Sequence, residues 1–169
     1  MSRQIDYRAT SQYPADEVYA TMADPDYLCA RLQQIGGPGA ELLEHTADTS
    51  GARYRLRHGL DAKDLPPAVR SVLSGNVTIE RTERWTRQDS GRYLGDVQVA
   101  IPGTPGSAEG GMRLRDTPDG GSELQVRVDV TVQVPLLGGK IEGVVAEQVQ
   151  KLLAAESAFT QQWLAGGAH

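Results

Sequence analysis

The feature that most constrains the fold is a strict two-residue alternation between residues 123 and 134. Apolar side chains occupy every even position, namely Leu124, Val126, Val128, Val130, Val132 and Val134. Successive side chains of a β-strand point to opposite faces, so the pattern predicts a strand with one buried and one solvated face. Burying all six would contribute on the order of 10 kcal/mol, at roughly 1.5–3 kcal/mol each. Pro135 is expected to end this strand.

The same period recurs along much of the chain. The other predicted strands cover residues 3–12, 40–47, 52–59, 75–87, 92–101 and 107–116. Turn residues such as Asp89-Ser90-Gly91 separate them and predict hairpins. We therefore expect a meander of seven antiparallel strands with one wet face. Gly95, Gly110 and Gly111 suit bulges or sharp bends that would curve it.

Helical spacing predicts two short helices after the first strand and one long helix at the C-terminal end. Asp24 is expected to cap the second short helix, with Pro25 at its first position. The long helix is predicted from about Lys140 to Leu164, and its apolar stripe consists of Ile141, Val144, Val145, Gln148, Leu152, Ala155, Phe159 and Trp163. The prediction is one α+β domain over residues 1–165 with a frayed tail at 166–169.

Charge and composition exclude several classes of protein. The chain has 17 Lys and Arg against 22 Asp and Glu, a formal net charge of −5, and no basic run, which argues against nucleic-acid binding. No apolar stretch approaches the ~18 residues of a membrane span. We expect a cytoplasmic protein, because no apolar signal segment opens the chain and the single cysteine cannot form an internal disulfide. Cys29 is expected to be a small buried side chain.

The sequence predicts no metal site and no cofactor. Its three histidines and one cysteine lack the spacing of metal ligands. Its glycine-rich segments match neither a phosphate-binding loop nor a dinucleotide fingerprint. No nucleophile motif is present either, so no catalytic residue is assigned.

The strand at 75–87 carries the most informative polar residues. Its more apolar face includes Trp85 and also holds Arg81 and Glu83. Buried charges are costly unless they are paired, so an inward pair could bind the polar head of a ligand or act as acid and base. Alternatively, a bulge turns both residues outward, or both lie in water near an open mouth. His58 shares a strand face with Tyr54, and it could be a general base or a hydrogen-bonded wall residue.

The order of elements resembles the helix-grip superfamily, which includes START domains, the birch-pollen-allergen family and polyketide cyclases. Within it the chain is similar to an uncharacterised bacterial family of unknown function. The segments that carry this likeness are Tyr54-Arg55-Leu56, Gly75–Trp85, Val134–Glu142 and Trp163. The resemblance covers essentially the whole chain. It implies a curved sheet around the long helix, with a cavity often used for apolar small molecules or lipids, and it implies no catalytic residue.

We predict that this cavity binds a small apolar or amphipathic molecule, lipid-like or polyketide-like. The predicted ligand-binding residues are Tyr7, Tyr54, His58, Arg81, Glu83, Trp85, Val97, Val99, Met112, Leu114, Leu152 and Phe159. Two alternatives stay open. One is a cyclase- or hydrolase-like enzyme that uses His58 or Glu83, although a non-catalytic protein is favoured. The other is a scaffold with a closed core that acts by self-association, which a homodimer would satisfy.

Overall fold

A computed structural model describes residues 2–65, 67–70 and 77–166 of the chain. Its strands are β1 (Ser2–Ser11), β2 (Glu41–Ala47), β3 (Gly51–Leu60), β4 (Val77–Asp89), β5 (Arg92–Ala100), β6 (Gly106–Asp116) and β7 (Ser122–Val132). Its α-helices are α1 (Ala15–Met22), α2 (Pro25–Ile35), α3 (Pro67–Arg70) and α4 (Gly138–Ala165), with a 3-10 turn at Ala62–Asp64. The predicted α+β architecture of seven strands, two short helices and a long C-terminal helix is confirmed.

The strands form one antiparallel sheet in the order β1-β7-β6-β5-β4-β3-β2. From β2 to β7, neighbours in the sheet are also neighbours in sequence, as in the expected meander. For β1 the expectation of a meander is wrong, because β1 pairs with the distant β7 and not with β2, and aligns Ile5 with Val128. The predicted alternation of β7 is confirmed, because Val128 and Val130 are buried and the intervening Asp129 is exposed. The strand stops at Val132, since the next residues enter the turn that leads into α4.

The glycines of the central strands do not form bulges, and two of them, Gly95 and Gly110, allow a close approach of neighbouring atoms. Pairing runs without a register shift through Gly95, Gly110 and Gly111, so the expectation of bulges there is wrong. A Cβ on Gly110 would lie 1.9 Å from the Arg127 carbonyl oxygen, and one on Gly95 would lie 3.0 Å from the Trp85 ring. The register shifts of the sheet fall elsewhere, between residues 42 and 44 and between residues 87 and 89.

Helix α4 packs against β1 and β7 and covers the concave side of the sheet. Its buried residues are Gly138, Ile141, Glu142, Ala146, Leu153, Glu156, Thr160 and Leu164. The predicted stripe is therefore displaced, and Gln148 and Ala155 are exposed. The displacement has a physical cause: two glutamates on the buried face have partners, which apolar periodicity does not reveal. Glu142 Oε2 accepts a hydrogen bond from Val132 N at 2.9 Å, and Glu156 pairs with arginines.

Helix α2 begins as predicted, because the Asp24 side chain accepts a hydrogen bond from Asp26 N at 3.0 Å. The expectation for Cys29 is wrong. Its side chain is exposed because Tyr27, Leu28, Arg31 and Leu32 take the buried positions of the helix.

Two predicted boundaries fall outside the described residues. These are the start of the strand expected at 75 and most of the expected tail at 166–169. In the parts of the chain that are described, no helix is long and apolar enough to cross a membrane.

Candidate functional site

Two adjoining cavities lie between α4 and the concave face of the sheet. The inner cavity measures about 170 Å³, and its wall is mostly apolar side chains of β5, β6, β7 and α4, such as Val97, Val128 and Leu152. The outer cavity measures about 370 Å³ and extends to Leu65 on one side and Lys151 on the other. Both are lined by Ile79, Ile101, Val145, Val149 and Leu152, so they share a wall. Their size and apolar walls are typical of small-molecule sites.

Four charged side chains form a buried group beside the inner cavity, which we call the ionic cluster: Arg31, Arg81, Glu83 and Glu156. Arg81 lies at the centre. Its Nη1 is 2.8 Å from Glu156 Oε2, and its Nη2 is 2.5 Å from Glu83 Oε2. Arg31 Nη2 approaches Glu156 Oε2 at 3.5 Å. Two guanidinium groups thus face two carboxylates, which balances the charge of a group that burial would otherwise make costly.

Three elements bring the ionic cluster together. Arg81 and Glu83 are two residues apart on β4, so the pleat places both on the inner face, while Arg31 comes from α2 and Glu156 from α4. Two further side chains bind Glu83 Oε1: Tyr54 OH donates to it at 2.8 Å and Trp85 Nε1 at 3.2 Å. These hydrogen bonds fix the carboxylate and satisfy the buried hydroxyl and indole.

Burial and charge set the protonation of this region. Although burial alone would raise the pKa of Glu156, the Arg31 and Arg81 charges lower it to about 2. Burial, followed by the Glu83 charge, raises the pKa of Tyr54 well above its ordinary value. Burial, followed by the Arg81 charge, lowers the pKa of His58 to about 4. At neutral pH, Glu156 is therefore ionised, while Tyr54 keeps its proton and His58 is uncharged.

Among the polar residues that line the inner cavity, His58 has a buried nitrogen without a hydrogen-bond partner in the described part of the chain. It lines the inner cavity, and its Nε2 has no hydrogen-bond partner within residues 2–65, 67–70 and 77–166. Other buried atoms without a directional hydrogen bond belong to Arg31, Glu83 and Trp163, none of which lines either cavity. Arg31 Nη2 and Glu83 Oε2 nevertheless make the ion-pair contacts of the ionic cluster.

The structure divides the predicted ligand-binding residues into three groups. The residues that line the inner cavity are His58, Arg81, Val97, Val99, Met112 and Leu152. Tyr54, Glu83 and Trp85 are buried in and around the ionic cluster and line neither cavity. The residues that lie elsewhere in the core are Tyr7, whose OH donates to Ser157 Oγ, with Leu114 and Phe159. Contact with a ligand remains a prediction for every one of them.

Sequence reasoning missed Arg31 and Glu156. Each lies on the buried face of its helix, at a position where the helical repeat predicts an apolar residue. A charged residue at such a position is the sequence signal that could have indicated a buried charge. The helical repeat could not identify their ion-pair partners, because Arg81 and Glu156 are 75 residues apart and meet only through tertiary packing.

The described residues contain no group of three or more His, Cys, Asp or Glu side chains that could hold a metal ion. A hollow of about 400 Å³ on the opposite face of the sheet is lined mainly by polar residues, including Arg84, Asp96, Glu109 and Asp129. It lacks the apolar wall of the interior space, so the cavities under α4 are the stronger candidate site.

A curved antiparallel sheet that wraps a long helix, with an apolar space between them, defines the helix-grip class, and solved structures support this assignment. TTHA0849 from Thermus thermophilus has a TM-score of 0.63 and 14% identity, covering 99% of this chain and 100% of its own. The Zhui aromatase/cyclase from Streptomyces sp. R1128 has a TM-score of 0.60 and 15% identity, covering 97% and 96%. At these identities the likeness shows the fold alone.

The chain belongs to the DUF2505 family of proteins of unknown function, whose family model matches residues 6–164. The uncharacterized protein Rv0481c of Mycobacterium tuberculosis is 25% identical over 170 residues, covering 97% of this chain and 98% of that protein. The predicted membership of a family of unknown function is thereby confirmed, and the solved structures confirm the predicted helix-grip fold.

Proposed function

We propose that the chain binds a small, largely apolar molecule in the space formed by the inner and outer cavities. The observation that supports this most directly is the composition of the wall: valine, leucine and isoleucine side chains surround the space, and His58 and Arg81 meet it at one end. Burial of the ligand would supply the affinity, and the few polar groups would orient it. The helix-grip resemblance implies the same use of this space.

The small side chains of the wall explain why the interior does not close on itself. The chain has only one Phe and two Trp, and the strands present valines such as Val97 and Val128 to the space. Trp85 is occupied at the ionic cluster, and Phe159 and Trp163 pack with Tyr27. These three large aromatic rings therefore pack outside the lining of the two cavities. This favours a binding protein over a scaffold with a filled core.

The neutral fluorophore N-phenyl-1-naphthylamine tests the proposal. Its fluorescence is expected to rise and saturate at one site when it is titrated with the purified protein. Val149 lines both cavities, so Val149→Trp places an indole at their common wall and should abolish the response. Gln150→Trp on the exposed side of the same helix is the matched control and should leave it unchanged.

Circular dichroism must show that both variants are folded, and Val145→Phe replaces Val149→Trp if the latter is not. Saturable binding that survives a folded blocking variant, or a wild-type protein that binds no probe, would refute the proposal.

A cyclase- or hydrolase-like enzyme is the second candidate, and one observation favours it. His58, whose Nε2 has no hydrogen-bond partner among the described residues, lines the kind of space in which a general base would act. A pKa of about 4 makes this imidazole a weak base at neutral pH, where an efficient base has a pKa near the working pH. Ligand binding is therefore the better-supported function.

A further inference from the structure

We infer that the ligand of the inner cavity is electrically neutral and carries one hydroxyl group, as an apolar alcohol or phenol does, which hydrogen-bonds to His58 Nε2. The inference rests on the proposed function and adds the chemical class of the ligand. It also excludes the most familiar amphipathic ligands, carboxylates such as fatty acids, from the polar end of this cavity.

The charge balance of the ionic cluster disfavours a carboxylate. Arg81 is the cationic side chain of the inner cavity wall, and its two terminal nitrogens already contact Glu156 and Glu83. The second cation, Arg31, faces Glu156 and lines neither cavity. A ligand carboxylate would become a third anion beside two cations, and the described lining of the inner cavity has no free positive charge to compensate for the loss of its hydration.

The surroundings of His58 keep it from acting as a cation for an acidic ligand. The charged groups that act on it are Arg81 and Glu83 from β4, Arg31 from α2 and Glu156 from α4. Two positive and two negative charges give no net field that favours protonation. The imidazole is also buried, which disfavours its charged form. His58 therefore offers the ligand a neutral hydrogen-bonding nitrogen.

A hydroxyl is the group that fits this nitrogen best. Nε2 donates a hydrogen bond in one neutral tautomer of imidazole and accepts one in the other. A hydroxyl can both donate and accept, so it matches either tautomer without a charge change. Leaving Nε2 buried without a partner is unfavourable, and the hydroxyl would remove that penalty on binding. The apolar remainder of the wall suits the hydrocarbon body of the ligand.

Three naphthalenes of matched shape test the inference by competition with N-phenyl-1-naphthylamine at pH 7: 2-naphthol, 2-naphthoate and 2-methylnaphthalene. We expect 2-naphthol to bind roughly fivefold to tenfold more tightly than 2-methylnaphthalene, the value of one hydrogen bond. The naphthoate anion should bind at least about tenfold more weakly than 2-naphthol, because its charge is uncompensated.

Two variants locate the preference at His58. His58→Leu should bind 2-naphthol and 2-methylnaphthalene equally. His58→Gln retains a side-chain amide and should keep part of the preference. Binding of the fluorophore itself by both variants shows that the cavity persists.

The outcomes separate this inference from the proposed function. Absence of fluorophore binding by the wild-type protein refutes the proposed function. Fluorophore binding together with equal affinities for naphthol and naphthoate, or a naphthol preference that survives His58→Leu, refutes the inference alone. Tight naphthoate binding that Lys151→Gln weakens would place the carboxylate at the outer cavity beside Lys151, and it would also overturn the inference.

Discussion

Glu156 occupies an interior position that an isolated carboxylate could not hold. Arg81 and Arg31 lie within 3.5 Å of its Oε2, and its side chain is 7% exposed. Removing one member of a buried ionic group leaves its partners unbalanced, which costs more than the group contributes in net stability.

Glu156→Gln is therefore expected to lower the free energy of unfolding by about 3–5 kcal/mol. Glu147→Gln on the same helix is the control. Glu147 pairs with Lys151 at 3.8 Å with both side chains at least two-thirds exposed, so its loss should cost about 0–1 kcal/mol. Urea unfolding of the three proteins measures both values, and equal midpoints for Glu156→Gln and the wild type would contradict the prediction.

His58 links stability to pH. Its pKa is about 4 in the folded chain against an ordinary value of 6.5, so between these values the unfolded chain binds the extra proton. The contribution of neutral His58 to the free energy of unfolding is fully present above pH 6.5. It is lost as the pH falls towards 4, and the loss amounts to at most about 3 kcal/mol. Glu156, with a pKa of about 2 against an ordinary 4.5, extends the loss below pH 4.5 in the same direction.

We expect His58→Leu to flatten the fall of the melting temperature between about pH 6.5 and 4, and to leave the steeper loss below about pH 4 in place. Calorimetric melting at half-unit pH intervals measures the two slopes. An unchanged slope in the upper range in the variant would show that another group is responsible.

At the residue scale, sequence patterns predicted part of the candidate site. The alternation of β4 correctly gave Arg81 and Glu83 a common face, and the structure turns that face inward. Their helical partners could not be predicted, because helical periodicity reports which side of a helix is apolar and carries no information about charges that meet across the core. Partner choice is a property of tertiary packing.

Among the elements, strand β6 contains two adjacent glycines that differ in their surroundings. Gly110 leaves no room for a side chain, whereas Gly111 does. A Cβ on Gly110 would lie 1.9 Å from the Arg127 carbonyl oxygen, whereas the nearest atom to a Cβ on Gly111 would be 3.7 Å away. The first clash involves backbone, so a strand pairing must shift to relieve it. The second is ordinary van der Waals contact.

Gly110→Ala is expected to lower the free energy of unfolding by about 1–3 kcal/mol or more. Gly111→Ala should raise it by roughly 0.5–1 kcal/mol, because alanine loses less conformational entropy in a strand. Guanidinium unfolding of the two single variants gives the comparison, and a destabilised Gly111→Ala or a neutral Gly110→Ala would contradict it.

The elements differ in how well the sequence predicts them. Strands of an antiparallel sheet expose one face, so their alternation is visible, and β7 and β5 lie within two residues of their predicted bounds. The existence of α4 was equally clear, but its buried face was not. That face includes two glutamates and a threonine, which apolar counting assigns to solvent.

For the whole molecule, the pairing of β1 with β7 closes the longest loop in the sheet. Ile5 aligns with Val128, far along the chain, whereas β2 to β7 pair as successive hairpins. Long loops cost entropy before their contacts form, so the local hairpins should assemble first.

Ile5→Val is accordingly expected to accelerate unfolding and leave the folding rate almost unchanged, while Val97→Ala in the central β5 should slow folding. Both side chains are buried, at 1% and 5% exposure, so each variant should lose measurable stability. Stopped-flow chevrons in urea separate the two rates. Equal slowing of folding by the two variants would place β1 in the transition state.

The architecture of the fold was predictable from the sequence, except for the pairing of β1 with β7, but the use of its interior was not. Repeated periods of two, turn residues and one long helical stripe are sufficient to predict a sheet wrapped around a helix. An apolar face has the same composition whether it packs against another face or against a ligand. The size of the space under α4 depends on how far the helix lies from the sheet, which no local pattern encodes.

The ionic cluster also constrains how related sequences can diverge. Its four members come from α2, β4 and α4 and hold a zero sum of charge, so a change at one position is tolerated only with a compensating change at another. In an alignment of the family, positions 31, 81, 83 and 156 should therefore covary, with arginines and glutamates lost in pairs. Independent drift at these positions would show that the interior tolerates an unpaired charge. Family members in which all four positions are apolar would lack the charged groups at the polar end of the cavity, and the four replacements are expected to occur together.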